Sequence, residues 1–218
     1  MVVITAIIGI SISFEVGRDI LEESTKEALK PILRNVFAEM TILGFIGLIM
    51  FFIKNPTNAN YNKSFYDLKI NSIDGELINL SSYKDKVVLL VNVASYCGFT
   101  KRYGDLQLLW ETYKDKGLIV MGVPSKSFNQ EKETNEEVKK FCEVNFNINF
   151  PLTSIYDVKG KNSHEIYKWA KENYGNSAVP KWNFHKILIN KEGKIEDTFS
   201  SFTKPLSNKI INKIESIL

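Results

Sequence analysis

The sequence predicts an α/β sandwich with a central mixed sheet, preceded by hydrophobic N-terminal helices, and three observations carry that expectation. Residues 87–93, VVLLVNV, are a short, β-branched and nearly all-apolar run, which is how a strand covered on both faces reads. Strand-like and helix-like segments alternate through residues 65–218, as they do where helices pack on a sheet. Tight turns at Asp74-Gly75 and Glu192-Gly193 separate strand-like runs, so part of the pairing is expected to be hairpin-like.

In chain order, residues 65–70 and 76–79 flank Asp74-Gly75 as a small hairpin, and 87–93 is the buried strand. A helix is expected over 101–116, a strand over 118–123, and a helix over 135–145 whose TNEE start resembles a capping box. Another helix is expected over 163–173. Strands over 186–190 and 194–199 surround Glu192-Gly193, and a last helix runs over 206–218.

The composition changes near residue 55, where NPTNANYNKS supplies Pro, Asn and Ser with little apolar content, so 56–64 reads as a linker between a 1–55 region and a 65–218 domain. Upstream, residues 2–14 and 40–53 carry no charge, yet each is shorter than the roughly 20 residues of a usual spanning helix. Extending the second through Glu39 to Val36 gives one candidate span over 36–53, with Lys54 as a polar stop. Residues 1–55 are therefore expected to anchor the domain to a membrane, with a cleaved or targeting segment and a soluble helical hairpin as the alternatives. Bases flank the second stretch on both sides, so orientation is open.

The 28 basic and 25 acidic residues are spread along the chain without the Lys/Arg stripe of a phosphate-binding surface, which argues against nucleic acid as a partner. Two cysteines, Cys97 and Cys142, are too few for a disulfide scaffold, and no CxxC pair suggests zinc. Each is a buried small hydrophobe or a reactive thiol. Cys97 follows the buried strand in NVASYCGFT with a helix starting a few residues later, so backbone N–H groups and the helix dipole can favour its thiolate. Gly98 allows a substrate close to the backbone. His164 and His185 read as structural, since two His without carboxylate or Cys spacing make no metal site.

NVASYCGFT at 92–100, FPLTSIYDVKGKNSHEIYKW at 150–169 and KWNFHKILINKEGKI at 181–195 resemble glutathione peroxidase segments in order and spacing, over about residues 64–218. The resemblance implies a thioredoxin-like fold and reduction of hydrogen peroxide or organic and lipid hydroperoxides by Cys97, without a cofactor. It implies that Trp182 and Asn183 lie beside that sulfur, offering an indole N–H and an amide N–H2 to the thiolate and the leaving alkoxide. It also implies thioredoxin or glutathione as reductant of the Cys97 sulfenic acid. Where the family carries a Gln in a segment similar to NQFGGQE, this chain reads KSFNQE at 126–131, one residue shorter. That places Ser127 at the catalytic Gln, with Gln130 as the donor if the shortened loop lets it swing in. Cys142 lies near the family's resolving thiol but one position early, and either resolves or is a half-buried helix residue. The short connection from Trp169 to Trp182 implies a monomeric catalytic domain with an open site. A redox sensor or oxidant relay and a non-enzymatic, membrane-held interaction module are the competing readings.

Overall fold

The computed structural model describes residues 63–218; the expected anchor, the rest of residues 1–62 and most of the linker lie outside them. The central sheet has four strands, β3 (Val87–Val93), β4 (Leu118–Pro124), β5 (Lys186–Ile189) and β6 (Ile195–Phe199), in the order β4-β3-β5-β6. β3 pairs parallel with β4, from Val87 opposite Leu118 to Val93 opposite Pro124, and antiparallel with β5, from Val88 opposite Ile189 to Val91 opposite Lys186. β5 and β6 are antiparallel around Gly193, whose positive φ of 74° suits the turn. The sheet is mixed, as the sequence predicts.

All seven β3 residues are buried, and their alternation explains the layers. Val87, Leu89, Val91 and Val93 face one core with Tyr103, Leu106 and Leu109 of helix α1 (Arg102–Tyr113), Val138 of α2 (Asn135–Phe146), and Ile210 and Ile214 of α4 (Asn208–Glu215). Val88 and Leu90 face the other, with Phe65, Leu68 and Leu80 and with Ile166, Tyr167 and Trp169 of α3 (Glu165–Tyr174). A period of two on the strand thus distributes its side chains between two helical layers.

Three expectations need correction. The first hairpin is shorter than expected: only β1 (Ile70–Asn71) and β2 (Leu77–Ile78) pair, because Ser64 and Asp67 cap a 3-10 turn over Phe65–Asp67. α1 ends at Tyr113 in a 3-10 turn stopped by Gly117 at φ 101°, and α4 begins two residues late and ends three early. α2 starts where its sequence indicates, with Glu137 N–H on Thr134 Oγ1 and Thr134 N–H on Glu137 Oε2, both 3.2 Å. One pairing had no local signal. Residues 151–153 run along β4 through Gly122 N–H to Pro151 O and Thr153 N–H to Gly122 O, both 2.9 Å. Gly122 is required there, since a Cβ would sit 2.6 Å from Leu152 Cδ2. Among the described residues, no helix is long and apolar enough to cross a membrane.

Candidate active site

β3 delivers the chain to a tight loop at its carboxyl end, and Cys97 sits in that loop, buried at 7% exposure. Thr100 shapes the turn: its Oγ1 accepts the Cys97 N–H at 3.1 Å and lies 3.0 Å and 2.7 Å from the carbonyls of Ala94 and Cys97. The Phe99 N–H donates to Cys97 Sγ at 3.4 Å. α1 begins only at Arg102, five positions on, beyond the single turn over which a helix dipole acts, so the N–H found at the sulfur is that of Phe99 in the loop. A Cβ at Gly98 would meet nothing within 4 Å, so the backbone beside the sulfur faces open space, as expected of that glycine.

The 126–131 segment grips this loop from the side. Tyr96 N–H donates to Gln130 O at 2.9 Å and Ser95 N–H to Glu131 Oε1 at 3.0 Å. Glu131 also accepts its neighbour's N–H, from Lys132, at 2.9 Å, and burial pushes its carboxyl up from the ordinary range. Gln130 reaches further: its Oε1 accepts from Asn183 Nδ2 at 2.9 Å. Ser127 points elsewhere, donating to Asp157 Oδ1 at 3.2 Å and accepting the Val158 N–H at 3.0 Å. The shortened loop, with Asn129 at φ 55°, therefore brings Gln130 and not Ser127 to Asn183.

Asn92 positions the Trp182-Asn183 pair. Its Oδ1 accepts the His185 N–H at 3.0 Å and its Nδ2 donates to Trp182 O at 3.2 Å, while its main chain bonds Phe184 N–H at 2.6 Å. Phe184 occupies the left-handed region at φ 63°, with its ring edge-on to Tyr103 at 5.5 Å. Asn183 is wholly buried, and Trp182 is 41% exposed with its ring 5.3 Å from Phe128. Among the described residues, the Trp182 indole N–H and the Gln130 amide N–H2 have no protein acceptor, and both remain available to a ligand.

The matches to known proteins fall on this same stretch. The glutathione peroxidase family model matches residues 65–171. Glutathione peroxidase-like peroxiredoxin 2 of Saccharomyces cerevisiae is 40% identical over 160 residues, 71% of this chain and 97% of that one. The chain belongs to the glutathione peroxidase family. Among other relatives of this peroxidase is the hydroperoxy fatty acid reductase of Synechocystis, 35% identical over 73% of this chain and 99% of that one. The crystal structure of T. cruzi GPX1 superposes with a TM-score of 0.56 at 29% identity, over 71% of this chain and 96% of that one. A thioredoxin family protein of Chlorobium tepidum, at 13% identity and TM-score 0.52, shows the fold alone to be thioredoxin-like. The protein is a thiol peroxidase that reduces hydroperoxides.

In this peroxidase both cysteines are free thiols. Cys142 is fully buried rather than half-buried, in the core that also contains Cys97. Burial pushes its thiol up to about 12, partly offset by a hydrogen bond with Tyr103. His164 caps α3, its Nδ1 accepting the Ile166 N–H at 3.3 Å, and burial lowers its pKa. His185 is buried, and desolvation with Lys186 and Lys181 nearby pushes it down to about 4. Among the described residues no group of three His, Cys, Asp or Glu could hold a metal ion. Sequence reasoning missed Asn92, Thr100 and Glu131. Asn92 carried a signal, being the one polar residue in a strand otherwise made for two apolar faces.

Proposed function

We propose that Cys97 is the peroxide-attacking thiol of this peroxidase, with Trp182, Asn183 and Gln130 as its polar surround. The Cys97 thiolate attacks the terminal oxygen of ROOH, an S–O bond forms as the O–O bond breaks, and the alkoxide takes up a proton to leave as ROH. The enzyme is left as Cys97 sulfenic acid. The Phe99 N–H steadies the thiolate, and the Trp182 N–H and Gln130 N–H2 are the donors for charge on the leaving oxygen. Asn183 acts by holding Gln130. The observation that carries this reading is the double role of Gln130, whose carbonyl binds Tyr96 beside Cys97 while its side chain binds Asn183.

Re-reduction is assigned to an external thiol, thioredoxin or glutathione, which condenses with the sulfenic acid, releases water and leaves a mixed disulfide for a second thiol to cleave. Burial keeps Cys142 protonated and shielded in the folded domain, which favours direct reduction. A Cys97–Cys142 disulfide is the second reading, supported by their shared core, and it requires α2 to open locally. Turnover of cumene hydroperoxide by Cys97→Ser and Cys142→Ala variants with each reductant separates these readings. Cys97→Ser is expected to abolish consumption, and Cys142→Ala to remain active. Retained activity in Cys97→Ser overturns the assignment, and a Cys97–Cys142 peptide under non-reducing mapping, with Cys142→Ala inactive, establishes the two-cysteine cycle.

In this reading residues 1–55 tether a monomeric domain to a membrane, on the strength of the uncharged stretches at 2–14 and 40–53, and hydroperoxides of lipids become natural substrates. The relative named as a hydroperoxy fatty acid reductase supports that substrate class. Release of a 1–55 fusion from membranes by carbonate would remove the anchor from this account.

A further inference from the structure

The loop after β6 is held in an unusual way. The Lys186 ammonium, on β5 and wholly buried, donates to Thr203 O at 2.5 Å and lies 3.4 Å from Ser200 O. Arg102, at the start of α1, donates through Nη2 to Phe202 O at 3.3 Å. Three carbonyls within four residues are thus bound by two cations. A buried ammonium is costly for a fold, and burial together with Arg102 pushes Lys186 down to about 7, with Asp105 acting the other way. Yet the apolar side chain this loop carries between those anchors, Phe202, is 80% exposed and adds little to the core.

Its ring instead meets Phe99. The two rings stand edge to face, 5.8 Å between centroids and 81° between planes, and the Arg102 guanidinium carbon lies 4.1 Å from the Phe99 centroid. Phe99 is the residue whose N–H touches Cys97 Sγ. An aromatic pair therefore leads from a residue packed on the core that holds Cys97 out to solvent, and Arg102 ties both its halves.

We propose that Phe99 and Phe202 form an apolar subsite beside Cys97 that takes the hydrocarbon part of an organic hydroperoxide, with Arg102 and Lys186 as positioning residues that hold Phe202 against Phe99. The assignment rests on Cys97 being the peroxide-attacking thiol. Hydrogen peroxide has no apolar part and gains nothing from the pair. An alkyl or aryl group attached to the reacting oxygen must project away from Cys97, and the pair offers it an apolar surface that begins at the residue whose N–H meets the sulfur. The pair thus discriminates between peroxides in the transition state and leaves the chemistry at sulfur unchanged.

The test uses the full chain and compares kcat/KM for cumene hydroperoxide and for hydrogen peroxide. Phe202→Ser, an exposed change that leaves the core intact, is expected to lower the value for cumene hydroperoxide by about tenfold while that for hydrogen peroxide stays within about twofold. Lys186→Met is expected to shift the same ratio, and adding Phe202→Ser to it to shift the ratio little further, because both act through one ring. A readout independent of turnover is binding of cumene hydroperoxide to Cys97→Ser protein, in which the Phe202 ring resonances should move and Phe202→Ser should weaken binding about tenfold. Equal losses for both peroxides, or an unchanged ratio, overturn the subsite. So does cumene hydroperoxide binding that ignores Phe202. Wild-type protein that binds through Phe202 but consumes neither peroxide would keep the subsite as a binding site and defeat the assignment of Cys97 instead.

Discussion

Replacing Asn92 with Ala should damage both stability and peroxide chemistry, although Asn92 belongs to the sheet rather than to the reacting groups. Its side chain makes two bonds, from His185 N–H at 3.0 Å and to Trp182 O at 3.2 Å, while its backbone bonds to Phe184 and His185 survive the substitution. The His185 N–H is left buried without an acceptor, at a cost of about 1–3 kcal/mol. The Trp182 carbonyl belongs to a residue that reaches solvent, so water can replace its bond and its loss counts for little. Phe184 adds nothing to the sum, because the wild type already bears the strain of its left-handed conformation and its own bond to the Asn92 carbonyl survives. A destabilisation of about 1–3 kcal/mol follows, and at about 2–4 °C per kcal/mol for a domain of this size Tm should fall by about 2–12 °C. A turn that relaxes by an ångström also moves Asn183 and Trp182, and misplacement on that scale costs about 100-fold in rate. The assay is thermal unfolding beside the stopped-flow rate constant for oxidation by peroxide. Asn92→Asp keeps an acceptor for the His185 N–H but buries a carboxylate against the Trp182 carbonyl, so it should destabilise at least as much as Ala. A Tm within about 2 °C and a rate within twofold for Asn92→Ala would refute this reasoning, since the turn would then hold without the strand.

Two further outcomes follow from the site. Gln130→Leu removes both the partner of the buried Asn183 amide and a candidate donor to the leaving oxygen, so the peroxide rate constant should fall by about 100-fold; Ser127→Ala, whose hydroxyl serves Asp157 and Val158, should change that constant by less than twofold, and the reverse ranking would show that Ser127 is the donor. His185 is buried neutral with its pKa lowered from 6.5 to about 4, so the unfolded chain binds a proton that the native state refuses as pH falls through that window. Its contribution is fully present above about pH 6.5 and is lost on acidification towards 4, and at about 1.4 kcal/mol per pH unit the loss amounts to about 3 kcal/mol; urea unfolding of wild type and His185→Leu across pH 4–7 checks this, and parallel curves would contradict it.

How much of this was legible in the sequence depended on how local each cause was. β3 was read to the residue because burial on both faces leaves a nearly all-apolar run, and the start of α2 because Thr134 and Glu137 cap it within four positions. The first hairpin was over-read because the Ser64–Asp67 turn competes with strand pairing and wins through its own side-chain bonds. The pairing of 151–153 with Gly122 joins residues about thirty positions apart, and nothing in either segment names the other. Cys97 was legible as a strand-end thiol, and its Phe99 N–H was not, because the loop is set by Thr100 before the helix begins. Ser127 and Gln130 could be set side by side from the sequence, but choosing between them required the left-handed turn at Asn129 that rotates the amide toward Asn183. The face of Cys142 hung on a single residue of helical phase, which counting back from Phe150 leaves open.

The buried polar groups around Cys97 share one trait that bears on its cycle. Asn92, Glu131 and Lys186 each bond the backbone of a segment distant in sequence: the 182–185 turn, the nucleophile loop and the 200–203 loop. Backbone anchors of this kind fix loops more firmly than pairs of flexible side chains, because only one partner has rotamer freedom to lose. The oxidative half of the cycle gains from that rigidity, since donors held in place need not reorganise as the O–O bond breaks. The reductive half is opposed by it if Cys142 takes part. Its sulfur is enclosed by the core, and freeing it means breaking the packing of α2. An external thiol needs only the open side of Gly98. With Cys97 as the attacking thiol, as proposed, the same anchors favour reduction from outside over resolution from within.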